Sequence, residues 1–97
     1  MDDRLMFEAT MQHNAARLSD VASRWTRGLS VTDKEALLAD ALDIAWHRRN
    51  QFDPRKESIG TWFAECMGQA ARRRKVWHVW RAGQSQWVAA HHLEEWR

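Results

Sequence analysis

Breaks are scarce in this chain. Its 97 residues include one proline and four glycines, so few positions interrupt a helix, and the frequent Ala, Leu, Arg and Glu favour one. The single cysteine, Cys66, excludes an internal disulfide and agrees with a reducing compartment. No apolar run approaches the length that crosses a bilayer, and the opening MDDRLMFEAT is acidic where a signal peptide is basic. A cytoplasmic protein with no membrane partner is expected. Catalytic motifs are missing as well: there is no Gly-rich phosphate loop, no HExxH and no nucleophile elbow. Neither an enzymatic activity nor a cofactor is expected.

What is present is globular. Apolar residues make up 44% of the chain and charged residues 29%, which suits one domain, residues 1–97, with one modest core. The net charge of +2 conceals an asymmetry. Residues 1–45 carry five Lys or Arg against eight Asp or Glu, and residues 46–97 carry ten against five. An acidic front half and a basic back half can face two different partners, one of them a polyanion, or can simply be solvated helix faces.

Hydrophobic spacing predicts helices. Phe7, Met11, Ala15, Leu18, Val21/Ala22 and Trp25 recur in steps of three and four as one stripe, and Gly28 suits the left-handed turn that ends it. Thr32 to Glu35 reads as a capping box. It opens a second helix with Leu38, Ala41/Leu42 and Ala45 on one stripe and Leu37 and Ile44 beside it, stopping near Asn50 ahead of Pro54. Ser58 can cap a third helix whose inner face is Ile59, Trp62/Phe63, Cys66/Met67 and Ala70/Ala71. Trp77 and Trp80 continue it, Gly83 ends or bends it, and residues 84–97 form an additional C-terminal helix. No strand-length alternation stands out. The expected fold is all-α, a small bundle of three to four helices.

The strongest charge feature is Arg72-Arg73-Arg74-Lys75. On a helix these four residues wrap the axis, and with Arg81 they can neutralise several phosphates. Trp77, His78 and Trp80 follow directly, and rings beside cations offer bases a stacking surface. The competing reading makes the arginines solvated and both tryptophans core. Of the seven tryptophans, Trp25, Trp46 and Trp62 sit on or beside the stripes and are assigned to packing. Trp77, Trp80, Trp87 and Trp96 lie on a tail too short to bury them all, which points to a partner or a second copy of the chain. His91-His92 with Glu94 and Glu95 is no metal site, since adjacent histidines face different ways on a helix. Cys66, on the inner stripe, reads as a small core residue.

The stretches ADALDIAW (39–46) and RRNQFDPRKESIGTWF (48–63), with the helix running into ARRRK (71–75), resemble the second conserved region of bacterial sigma factors, particularly the extracytoplasmic-function group. The landmarks are Trp46, Phe52-Asp53-Pro54, Ser58, Trp62 and the basic stretch Arg72 to Lys75, in order, over about residues 5–80. The resemblance implies two surfaces. The helix matching residues 35–48 would dock on the clamp of the RNA polymerase core through Leu38, Asp40, Asp43, Ile44 and Trp46. The later helix would contact and help melt promoter −10 DNA through Arg72, Arg73, Arg74, Lys75 and Arg81, with Trp77 or Trp80 stacking.

The chain also departs from that pattern. Ala36 stands where the family has an acid, Ala39 where it has Gln, Gln69 where it has Asn and Arg73 where it has Asp. The second, −35-reading domain of the family is not expected here. Three readings follow: a sigma-like domain that binds polymerase, promoter DNA or both; an interaction regulator that keeps the fold and engages polymerase or another transcription regulator; and a bundle that forms a homodimer through its Trp-rich tail.

Overall fold

The computed structural model describes residues 2–81 and 84–89. Helix α1 is Asp3–His13, α2 is Ala15–Thr26, α3 is Val31–His47 and α4 is Ile59–Arg73, with a short 3-10 turn at Arg49–Gln51. More than half the chain is helical, as the hydrophobic spacing predicts.

The stripe from Phe7 to Trp25 is divided between two helices. At Asn14 (φ −105, ψ 17) the backbone N–H donates to the Thr10 carbonyl at 3.2 Å, and the side-chain amide donates to the same carbonyl at 2.8 Å. Asn competes locally with the helical ladder, which explains the break here. Ala15, beyond it, is exposed. Gly28 takes φ 91, the left-handed conformation that a residue with a Cβ enters only at a cost.

The N-cap of α3 lies two residues earlier than Thr32. The Ser30 hydroxyl accepts from the Asp33 amide at 3.2 Å, so the capping chemistry is as expected but its owner is Ser30. The buried stripe of α3 is also rotated from the expected one. Leu37, Ala41, Ile44 and Ala45 face the core, Leu38 is half-buried, and Leu42 is 39% exposed. Helix α4 follows the sequence reading closely. Ser58 accepts from the Thr61 amide at 3.1 Å, and Ile59, Trp62, Phe63, Cys66, Met67, Ala70 and Ala71 are all buried. The core these residues form with Leu18 and Val21 of α2 and the buried face of α3 is continuous. At Gly68 the ring of Trp25 comes so close that a Cβ would lie 3.1 Å from it, so the small residue sets how near α2 sits to α4.

The chain after α4 is not helical. Val76–Arg81 forms strand β1 and Gln84–Ala89 forms β2, paired antiparallel from Val76 opposite Ala89 to Arg81 opposite Gln84. This corrects the expected continuation through Trp77 and Trp80 and the expected start of a last helix at residue 84. The run Val76-Trp77-His78-Val79-Trp80 is rich in residues that fit a pleated surface better than a helix. Residues 90–97, with Trp96 and the His91-His92 pair, lie outside the described residues, as does Gly83. The hairpin docks on the end of α2: Trp87 stacks on Trp25 with centroids 4.6 Å apart. Its indole N–H donates to the Arg24 carbonyl at 3.1 Å and its backbone N–H to the Arg27 carbonyl at 2.8 Å. Trp87 is thus spent inside the fold, and it was expected among the tail residues that meet a partner. No described helix is long and apolar enough to cross a membrane.

Candidate functional site

The basic run occupies the end of α4. Arg72 and Arg73 close the last turn, Arg74 is the C-cap and Lys75 turns the chain toward β1. The four residues therefore do not wrap a continuing helix. Cations here face the negative end of the helix dipole, which favours them electrostatically. All four are exposed, but their charges are not equivalent. The Arg74 guanidinium pairs with Asp40 of α3 through Nε on Oδ2, with Nη2 at 3.5 Å from Oδ1. No carboxylate of the described residues pairs with Arg72, Arg73 or Lys75, which leaves three cations for an external anion.

Lys75 sits at φ 55, a left-handed conformation that costs an L side chain roughly 1–2 kcal/mol and that glycine adopts freely. Helices commonly place glycine at this step. Lys75→Gly should therefore raise stability by about 1 kcal/mol, measured by urea unfolding, while lowering affinity for any polyanion held at this end. Trp77, Trp80 and Arg81 lie in β1; their side chains fall outside what is described.

The residues expected to contact a protein partner do not share one face. Ile44 is 3% exposed and belongs to the core. Asp40 is directed to Arg74, and Leu38 packs half-buried against the core. Asp43 and half-buried Trp46 remain on the outside. There they join residues that the sequence reading missed. Ala39, Leu42, Asp43 and Trp46 line one wall of a groove of about 550 Å³, and Arg4, Phe7, Glu8, Met11 and Gln12 of α1 line the other. Leu42 was missed because spacing alone assigned it to the inner stripe. The contribution of α1 is a tertiary fact with no sequence signal.

Trp46 is the hub of the α1 contact. Phe7 meets it edge-on at 5.4 Å, and the guanidinium groups of Arg4 and Arg49 lie 4.8 and 3.8 Å from its ring centroid, within cation–π range. Arg49 also donates to the Trp46 carbonyl at 2.8 Å and reaches Asp3 at 3.4 Å. On the other flank of α1, a recess of about 190 Å³ is lined by Asp3, Met6, Phe7, Thr10 and Met11 of α1 against Arg49, Asn50, Phe52, Ile59 and Trp62. Two of these carry buried N–H groups with no acceptor, Arg49 Nε and Trp62 Nε1. Each such group costs on the order of 1–3 kcal/mol.

Among the described residues no three His, Cys, Asp or Glu side chains converge as a metal set. Burial pushes the Cys66 thiol up to about 11, so the thiolate is scarce at neutral pH and the sulfur is inert packing. Comparison with protein-family models, with curated proteins and with solved structures finds no match in any of the three.

Proposed function

We propose that this chain is a sigma-factor-like transcription domain that acts by binding alone, engaging the RNA polymerase clamp, promoter −10 DNA or both. The observation that carries the reading is the trio Arg72, Arg73 and Lys75 at the end of α4, exposed and, among the described residues, without a carboxylate partner. A basic helix end of this kind suits a phosphate backbone. The residues that carry the resemblance are Trp46 near the end of α3, Phe52-Asp53-Pro54 in the loop, the Ser58 cap and Trp62 inside α4. Protein docking falls to the outer face of α3, with Leu42, Asp43 and Trp46.

A second reading is favoured by one specific contact. Asp40, the one acid that matches the clamp-binding pattern of the resemblance, is tied to Arg74. A fold that joins its two would-be binding surfaces in this way suits an interaction regulator that holds polymerase or another transcription regulator without reading DNA.

Immobilised chain incubated with purified bacterial core polymerase tests the proposal. Retention of polymerase is expected, together with its loss in Leu42→Arg, which alters an exposed side chain and spares the core. Retention with no capture of a labelled −10 single strand would select the regulator. No retention of polymerase and no capture of the strand would rule out the first reading and the polymerase-holding form of the second.

A further inference from the structure

We infer that α1 is a displaceable cover, and that the strip beneath it is a docking site for a partner helix of the same chemistry as α1 itself. Four independent observations converge. Helix α1 has no buried residue, unlike the other three helices. Cavities of about 190 and 550 Å³ flank it on both sides, so it sits on the body along a narrow line of contact. Asn14 breaks the helix directly after it and supplies a hinge. Beneath it, Trp46, Phe52, Ile59 and Trp62 form an aromatic and apolar strip beside Arg49.

The occupant is defined by what α1 places on the strip. Asp3 reaches Arg49, Phe7 meets Trp46 edge-on, and Met11 packs on the core from one turn further along. These residues are four apart and lie on one helix face. A partner helix with an acid, an aromatic residue four positions on and an apolar residue four beyond that reproduces each contact. Docking of an amphipathic helix through such anchors is a general recognition mode. In the unoccupied state α1 competes for the strip from within the same chain, which sets a threshold for the partner. The inference does not depend on what the basic end of α4 binds.

The test uses the full chain. Native-state hydrogen exchange should show α1 amides opening at least about 100-fold faster than those of α4, because local opening needs no loss of the core. Phe7→Ala should widen that gap while leaving α4 protection unchanged, which also shows that the variant folds. Isotope-labelled Phe7→Ala protein is then titrated with a synthetic peptide of residues 2–13. Shifts at Trp46 and Phe52 are expected, with affinity about fivefold or more weaker for the peptide carrying Ala in place of Phe7. Exchange of α1 at the rate of α4, no shift with the peptide, or equal shifts with a scrambled one would overturn the inference.

Discussion

Phe63→Ala is expected to remove roughly 3–5 kcal/mol of stability, the usual cost of deleting a buried aromatic ring and leaving a cavity. Phe63 is 1% exposed and lies on the inner face of α4 beside Trp62, Cys66 and Met67. Helix α4 packs on both α2 and α3, so a void there is bordered by residues that cannot all close on it. Small domains have only about 5–15 kcal/mol in total, so the variant should unfold at a markedly lower urea concentration. The same truncation at Phe7, on the face of α1 that meets Trp46, should cost far less because its site is already half open to solvent. Equal losses at the two positions would show that α1 is as integral to the core as α4.

The second large effect concerns the basic end of α4. If Arg72, Arg73 and Lys75 each meet a phosphate of a single strand, the slope of log K against log salt should be about −2, at about −0.7 per contact. Replacing Arg72 and Arg73 together with Ala should make it shallower by about 1.4. Arg74→Ala should change the slope little, since Asp40 offsets that charge in place. This contrast separates phosphate contact from general positive charge, because all three arginines contribute equally to net charge. Replacing Trp77 or Trp80 should leave the slope alone and cost about 1–3 kcal/mol if the ring stacks on a base. Fluorescence anisotropy of a labelled −10 strand over a salt series reads all four variants, with and without core polymerase. An equal effect of Arg72, Arg73 and Arg74, each removed singly, would refute the division of roles drawn from the Asp40 contact.

Helix content, the boundary at Gly28, the Ser58 cap and every inner-face residue of α4 were legible in the sequence. Each depends on short-range rules: a 3.6-residue period, a hydroxyl placed to accept from an N–H three residues on, a glycine where φ is positive. The cap of α3 was expected at Thr32, and the structure gives it to Ser30, three residues before Asp33. The stripe of α3 was half legible. Adjacent apolar pairs such as Leu37/Leu38 and Ala41/Leu42 leave its rotation open by one residue, and only packing on α4 chooses Leu37 and Ala41 for the core.

The hairpin shows the opposite case. Val76 to Trp80 is rich in Val and Trp, and Ala82-Gly83 between it and Gln84–Ala89 suits a two-residue hairpin loop. The expectation of a continuing helix rested on the helical spacing of Trp77 and Trp80, and no strand alternation was read there. Strand preference reflects what a segment packs against more than the backbone itself, and here β1 has β2 for a partner while Trp87 has Trp25. The sequence by itself thus determined the helical segments and the inner face of α4, because those follow from contacts within a turn or two of chain. The tertiary structure alone decided that Asp40 restrains Arg74, that Ile44 is core, that α1 lies across Trp46, and that the chain after Lys75 pairs as strands. Those outcomes join residues distant in sequence, and no local period or cap encodes which distant surface a side chain will meet.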